Sequence, residues 1–337
     1  MRDMKIINPA AGAAVMALGI FLYAAVDAFP LLGVRLGPAL AIIFTIIAVY
    51  VYTALTRQFF QKGFLLPFLH NPVNSFVIGS WIAGMSVWCN VLMKYYPAAA
   101  PVIRTTALIN TVFWVLFVGW SLYNFYRLVK QPGRHEVHGV ILLSTVAAQS
   151  IVVVWSDLFS FIPETAAAVV IGTGLFFYGT GIALLVFRYA KEKEWTLTDD
   201  WTNTNCIIHG ALSITGLALV SSGFLSAAWI MGFWVLVFVL LLLVEALEGV
   251  RAVQRVRRYG WKEGIFTYNT SQWSRNFTFG MFYAFSMTMH ENPHYMNAMY
   301  DFHEAFLAVW AWIVLTALVG EITVFAASKW RVWRTVS

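Results

Sequence analysis

The chain has 337 residues, of which 60% are hydrophobic and only 11% are charged, and its mean hydropathy is +0.71. Soluble domains carry about 25% charged residues, so this composition excludes a soluble globular fold. The net charge of +6 and the pI near 9.3 come from basic residues between apolar runs, and they indicate anionic lipid rather than nucleic acid as the partner.

Ten apolar runs follow one another, each long enough for a helix to cross a hydrocarbon core of about 30 Å. The first run follows Arg2 and Lys5 and is longer than the apolar core of a signal peptide, so we expect it to be retained. In chain order the predicted spans are 9–29, 34–56, 73–93, 102–126, 138–158, 164–187, 203–224, 227–249, 271–289 and 303–326. We therefore predict an all-α integral membrane protein, one transmembrane domain over residues 1–337 with ten helices paired as five hairpins.

Lysine and arginine are distributed unevenly between the two sets of loops that join these spans. One side of the predicted membrane has 19 of them, and the other side has only Arg35, Lys94 and Arg104. Because cytoplasmic loops carry the excess of positive charge, this split predicts a multi-pass protein of the plasma or inner membrane with both termini in the cytoplasm.

Odd-numbered and even-numbered spans differ in composition. The odd spans are rich in small and polar residues, whereas the even spans contain runs such as AIIFTIIAVYVY and FWVLVFVLLLLV. Polar groups within a membrane are costly unless they face protein or water, and bulky apolar faces suit lipid. This contrast predicts odd helices around a central pore and even helices outside. The alternative is that small polar residues only allow close helix packing.

The chemistry of the odd spans favours an anion as the solute. Acidic residues fall near the ends of spans, except for Glu321 on an even span, whereas a cation pathway usually has inward-facing acids. Arg275, at the cytoplasmic start of the ninth span, is a candidate for attracting anions, while Lys94 and Arg104 suit interfacial anchoring. The candidate pore-lining residues are Asn74, Ser75, Ser144, Gln149, His209, Ser213, Thr278 and Gly280.

Five stretches together resemble one membrane protein family. They are NPAAGAAVMALGIF in the first span, His70-Asn71-Pro72 with NSFVIGSWIAGM, VILLSTVAAQSIVV in the fifth, HGALSITGLA in the seventh and WSRNFTFGMF, residues 273–282, in the ninth. In this order they are similar to the tellurite-resistance and dicarboxylate-transporter family, which includes the slow-type plant anion channels and the malate and sulfite transporters.

The resemblance implies a homotrimer in which every protomer has its own pore, and a phenylalanine of the ninth helix that closes it. That gate residue falls on Phe277, with Phe279 as the second choice. Three positions depart from the family pattern: Thr278 and Ser144 stand where prolines are usual, and Asn71 splits the His-Pro pair. The helix kinks associated with those prolines are therefore not assured here.

The predicted function is an anion channel or facilitator that passes small inorganic or organic anions, with no enzymatic activity and no cofactor. The alternative is a proton-coupled carrier for C4-dicarboxylates, sulfite or tellurite-type oxyanions, because members of one family can share architecture and differ in mechanism. Cys89 and Cys206 lie in apolar runs and are expected to be packing residues.

The histidines raise a different class of function, a haem or metal subunit. His290, His294 and His303 lie near acidic residues in one outer segment, which would suit Zn²⁺, but Pro293 disrupts a helical pairing of the first two. We therefore predict no metal site. His209 is the one histidine well inside a span, so a haem held by two histidines lacks its second ligand, although His209 is a candidate pH-sensitive pore group.

Overall fold

The computed structural model describes residues 7–223, 225–296 and 299–336, which form helices and turns with no strand among them. A helix lies in each of the ten predicted spans. We number them α1 (Gly12–Tyr23), α2 (Gly37–Phe59), α3 (Ile78–Tyr95), α4 (Ala100–Lys130), α5 (Leu143–Leu158), α6 (Glu164–Lys191), α7 (Ile207–Ser222), α8 (Ala227–Gly264), α9 (Trp273–Glu291) and α10 (Tyr300–Val336). Short helices also cover Leu65–His70 and Pro293–Met296.

The ends of the helices differ from the predicted spans. A 3₁₀ turn precedes each odd-numbered helix, at Pro9–Ala11, Asn74–Val77, Gly139–Leu142, Asn203–Cys206 and Thr270–Gln272. Several even-numbered helices continue past the apolar run into basic sequence, and α8 extends to Gly264 across a kink at Gly260, whose φ is 76°. Hydropathy marks only the apolar part of such a helix, because a helix continues into water while its backbone bonds persist.

The odd-numbered helices form a closed inner ring. Helix α1 packs against α3, α3 against α5, α5 against α7, α7 against α9, and α9 returns to α1, while α2, α4, α6, α8 and α10 lie outside. In the most apolar stretches of α3, α5 and α7, 67–89% of the residues are buried, against 28–39% in the even-numbered helices. The compositional contrast therefore corresponds to an inner and an outer layer.

Eight helical stretches in the described part of the chain are long and apolar enough to cross a membrane, as judged by length and composition. Two of the ten helices are not among these eight stretches. They are α1, whose apolar run Pro9–Tyr23 is shorter than the others, and α9. Helix α9 is more polar, with Ser274, Arg275, Asn276 and Thr278 in its first two turns. The chain thus has the character of a multi-pass membrane protein, and the crossing by all ten helices stays a prediction.

Glycines allow the inner helices to approach closely. At each of the five interfaces of the ring there is a glycine whose added Cβ would lie within 3 Å of the neighbouring segment. These glycines and their neighbours are Gly12 with Trp81, Gly79 with Leu143, Gly139 with Thr204, Gly210 with Thr278, and Gly280 with Ile20. The narrow inner ring therefore depends on positions that no larger residue fits without a shift of the helices.

Candidate functional site on the axis of the inner ring

A small cavity lies inside the ring and is lined by side chains from all five odd-numbered helices. It offers about 10 Å³ to the centre of a water-sized sphere, which is room for about one water. Its lining consists of Ile20 and Tyr23 of α1, Ser86, Val87 and Asn90 of α3, Ser150 and Val153 of α5, Ile214 and Leu217 of α7, and Met281 of α9. The cavity is thus a point inside the ring where all five inner helices meet.

The polar groups of this cavity are hydroxyls and an amide. The Ser86 hydroxyl donates to Ser150 Oγ at 3.2 Å, and Asn110 of α4 donates its Nδ2 to Ser86 Oγ at 2.9 Å. Among the described residues, the Asn90 side-chain oxygen is buried without a hydrogen-bond partner. A solute or water on the axis therefore meets neutral polar groups, one of which lacks a protein partner.

Phe277 lies one helical turn before Met281 on α9. The side chain is fully buried, at 0% exposure. Since residues four apart share a helix face, Phe277 has the same direction as Met281, which lines the cavity. The helical rise places it about 6 Å nearer the N-terminal end of the helix. Phe277 is not among the residues that line the cavity, so its role as a gate stays a prediction.

Phe279 has a different direction. Its ring centroid is 5.4 Å from that of Trp310 on α10 and 6.5 Å from that of His209, and its carbonyl accepts from Trp310 Nε1 at 3.1 Å. These contacts are with the outer helix α10 and with α7. Of the two candidate gate residues, only Phe277 shares the face of Met281.

Three of the predicted pore-lining residues are buried against outer helices. Each uses its polar atoms on a neighbour in the even-numbered layer. Ser75 Oγ accepts from Asn124 Nδ2 of α4 at 3.0 Å, Gln149 Nε2 donates to the Ile171 carbonyl of α6 at 3.2 Å, and His209 Nε2 lies 3.4 Å from Glu245 Oε1 of α8.

The other predicted pore-lining residues have mainly local partners. The hydroxyls bond to backbone carbonyls of the preceding turn: Ser144 to Ile141 at 2.7 Å, Ser213 to His209 at 2.9 Å and Thr278 to Arg275 at 3.0 Å. Asn74 is exposed before α3, and Gly280 packs against Ile20. None of the eight lines the axial cavity, so their role in a pore stays a prediction. The polar residues that line the cavity are instead Ser86, Asn90 and Ser150, together with Tyr23. In the sequence the first three are recognisable only as polar residues within odd spans.

Arg275 is held by two glutamates of α8. Its Nη2 is 2.7 Å from Glu248 Oε2, and its Nε is 3.2 Å from Glu245 Oε2. Arg251 donates to Glu248 Oε2 at 3.3 Å and to Asn203 Oδ1 at 2.7 Å. Two arginines and two glutamates therefore form a cluster without net charge, so Arg275 is not a free cation. In the sequence this cluster is visible as two glutamates three residues apart, Glu245 and Glu248, followed after three more residues by Arg251.

Paired charges also occupy the opposite end of the ring. Lys94 Nζ is 2.6 Å from Asp27 Oδ2 and donates to the Tyr23 carbonyl at 2.9 Å. The Tyr23 hydroxyl donates to Asp157 Oδ2 at 2.8 Å. Because Tyr23 lines the axial cavity, these groups stand at the side of the cavity away from Arg275. Arg104 donates its Nε to the Leu158 carbonyl at 3.1 Å, as an interfacial anchor would.

The outer histidines do not converge. His303 is fully buried with its ring 4.5 Å from that of Trp234, His290 stacks on Tyr300 at 4.2 Å, and His294 is exposed. In the part of the chain that the structure describes, no group of three histidine, cysteine or acidic side chains is arranged to hold a metal ion. Cys89 and Cys206 are buried and free.

Comparison with known proteins supplies the family. A search of curated proteins returned no match. The family model described as voltage-dependent anion channel matches residues 7–328, nearly the whole chain, and confirms the resemblance seen in the five sequence stretches. With a match of this extent, the chain belongs to the voltage-dependent anion channel family.

Proposed function

We propose that the chain passes small anions along the axis of the inner ring and that Phe277 is the gate. Membership of the family implies anion channel or transporter activity. The observation that carries the proposal is the axial cavity, which all five odd-numbered helices line, with the fully buried Phe277 one turn away on the face of Met281. The pathway is closed in this conformation, because the cavity holds about one water.

The chemistry of the cavity supports an anion. Its lining residues carry hydroxyl, amide and apolar groups and no carboxylate. Such donors offset part of the cost of dehydrating an anion without binding it so tightly that it cannot leave. Asp157, next to the cavity-lining Tyr23, accepts a hydrogen bond from the Tyr23 hydroxyl.

A phenyl ring suits the role of a gate. It presents no charge and no hydrogen-bonding group, so an ion beside it loses hydration without compensation. Rotation between staggered χ1 wells moves the ring out of the axis without a change in the helix.

The test is anion flux through purified protein in liposomes, with chloride, nitrate, sulfite and malate compared. Phe277→Ala is expected to conduct about tenfold or more above wild type, which corresponds to a barrier lower by about 1.4 kcal/mol. Phe279→Ala is the matched control, since it removes the same ring from the side of α9 that contacts Trp310. If the two variants are folded and show equal flux, Phe277 is not the gate.

A proton-coupled carrier for C4-dicarboxylates, sulfite or tellurite-type oxyanions is the second candidate. It is favoured by Asp157, a carboxyl group 2.8 Å from the Tyr23 hydroxyl at the side of the axial cavity away from Arg275. Protonation of such a group would couple anion passage to a proton. Saturable uptake that a pH gradient drives and that Asp157→Asn uncouples would support the carrier, whereas ohmic current in both proteins would support the channel.

Assembly as a homotrimer is part of the proposal. Helix α6 has Gly172 and Gly179 on its exposed side, and an added Cβ at either would meet no atom within 4 Å. Small residues on the surface of a membrane helix allow another helix to approach closely. We expect the purified protein to have the mass of three chains by light scattering corrected for detergent, and a monomer at all concentrations would refute this part.

We further propose that both termini lie in the cytoplasm of a cell with the protein in its plasma or inner membrane. The support is the excess of lysine and arginine at the end of the bundle where α4, α6, α8 and α10 terminate. A tag at the C-terminus should be inaccessible to impermeant reagents in intact cells, and labelling from outside would reverse the orientation.

A further inference from the structure

A basic pocket lies at the C-terminal end of α4, away from the axis. It is an open cavity of about 380 Å³ between α4, the loop that follows it and the short helix ending at His70. The lining residues are His70, Tyr126, Arg127, Lys130, Gln131, Arg134 and His135. Its volume lies within the range of sites that bind small molecules, which is about 300–1,000 Å³.

The charge of this pocket is uncompensated by its own lining. Arg127, Lys130 and Arg134 contribute three positive charges, and no acidic residue lines the cavity. Arg127 and Lys130 donate to neutral groups: Arg127 to the His70 carbonyl at 3.2 Å, and Lys130 to the Tyr126 hydroxyl at 3.0 Å. These bonds orient the cations without neutralising them.

The neighbouring cavity makes a useful contrast. It shares Arg134 and His135 with the basic pocket but is also lined by Glu136 and Glu192, and Glu192 is paired with Arg188 at 3.3 Å. Arg188 and Lys191 also line the neighbouring cavity, so with Arg134 and the two acids its lining carries about +1, against +3 from the three cations of the basic pocket, and an anion is favoured more strongly in the basic pocket. The choice of site is one of charge, since the two cavities are similar in size.

An exposed apolar face leads directly to the basic pocket. On the last turns of α4, Leu122, Tyr123, Tyr126 and Val129 are each 48–59% exposed. In a membrane this face is covered by acyl chains, with the pocket at the level of the headgroups. The ligand that matches both features has a long apolar part and a strongly anionic head.

We propose that the pocket bounded by Arg127, Lys130, Arg134, His70 and His135 binds the phosphomonoester headgroup of an anionic phospholipid, whose acyl chains lie along α4. A phosphomonoester carries about −1.5 to −2 charge at pH 7 and three acceptor oxygens, which match two guanidinium groups and one ammonium. A zwitterionic headgroup lacks the net charge, and free phosphate lacks the apolar part.

His135 supplies an independent readout. Partial burial and the positive charges of Arg127 and Arg134 lower the pKa of His135 below its ordinary value. An anion in the pocket offsets that repulsion and raises the pKa, so the bound state takes up a proton that the free state does not hold. Binding therefore tightens as the pH falls through the range between the two pKa values. His135→Ala should remove the part of the pH dependence of binding that comes from His135. The comparison therefore distinguishes that part from the part due to titration of the phosphate itself.

The experiment uses the detergent-purified full chain and short-chain lipids, with binding followed by native mass spectrometry. Dioctanoyl phosphatidic acid is the probe, dioctanoyl phosphatidylcholine has the same chains with a zwitterionic head, and inorganic phosphate has no chains. We expect phosphatidic acid alone to bind well, and Arg127→Gln/Lys130→Gln/Arg134→Gln to weaken it about tenfold or more, because charge-assisted hydrogen bonds are lost.

The matched control removes the same charge elsewhere, through the exposed residues in Lys62→Gln/Lys193→Gln/Lys262→Gln. Unchanged binding in this control supports a specific site, and an equal loss in both triple variants overturns it in favour of general attraction. Inorganic phosphate that competes as well as the lipid overturns the lipid assignment. Lys130→Gln alone, at an exposed side chain, gives a measurable loss if the full pocket variant does not fold.

Discussion

The cluster of Arg251, Arg275, Glu245 and Glu248 at the start of α9 allows a test of whether burial decides how much an ion pair contributes to stability. Glu248→Gln keeps the shape of the side chain but removes the charge that pairs with Arg275 Nη2 at 2.7 Å. The cluster then holds Arg251, Arg275 and one remaining glutamate, with a net charge of about +1 in place of zero. Asp199→Asn is the control, because Asp199 Oδ2 also lies 2.7 Å from its partner, Arg258 Nη1.

The expected magnitudes follow from exposure. Breaking a buried ion pair by removing one partner costs about 3–5 kcal/mol. Arg275 keeps Glu245 at 3.2 Å, and its side chain is 31% exposed, so we reduce the expected cost of Glu248→Gln to about 2–3 kcal/mol. The Arg258 and Asp199 side chains are 59% and 42% exposed, and such surface pairs contribute about 0–1 kcal/mol.

The assay is reversible unfolding by sodium dodecyl sulfate from mixed micelles, followed by tryptophan fluorescence. Arg251→Gln and Glu248→Gln/Arg251→Gln complete the cycle, and the double variant should recover part of the loss, since it restores neutrality. Equal unfolding free energies for Glu248→Gln and Asp199→Asn would refute the reasoning that burial decides the value of these pairs. Glu248→Gln should also raise anion flux at low ionic strength, and salt should screen the gain.

Two further predictions concern packing in the inner ring. Gly210→Ala should lower stability in a thermal-unfolding assay and reduce the yield of folded protein, because its new Cβ would overlap Thr278 of α9. Gly119→Ala, at an exposed position of α4 with no atom near the added Cβ, should be neutral in that assay, and equal losses in the two variants would count against a tight ring. Cys89 and Cys206 should resist a maleimide in the folded protein and react after denaturation, since both are fully buried; mass spectrometry that finds rapid labelling of either before denaturation would contradict their placement.

Much of the layer arrangement could be predicted because it rests on the cost of polar groups in lipid. Small and polar odd-numbered spans became the inner ring, and apolar even-numbered spans became the outer layer. Helix ends were less predictable, since α4 and α8 continue into basic sequence that hydropathy excludes. The glycines that close the ring, such as Gly210 against Thr278, were visible as small residues but not as interhelical contacts.

The direction of individual polar side chains could not be predicted in the same way. Composition identifies a helix as inner, but an inner helix has one face toward the axis and others toward its neighbours. Gln149 and His209 illustrate the difference, because their polar atoms face α6 and α8. Ser86 of α3 and Ser150 of α5 are also on inner helices, but their side chains meet at the cavity. Only the rotation of each helix, which packing decides, separates these cases.

The distribution of charge along the ring bears on how an anion would pass. Arg275 is paired with glutamates at one end, Lys94 is paired with Asp27 at the other, and the cavity between them is lined without a charged group. Fixed charge therefore contributes little attraction on the axis, and under the proposed function the barrier depends on dehydration and on the ring of Phe277. Under the proposed function, selection among anions then follows the ease with which each loses water, since hydroxyl and amide donors replace only part of the hydration shell.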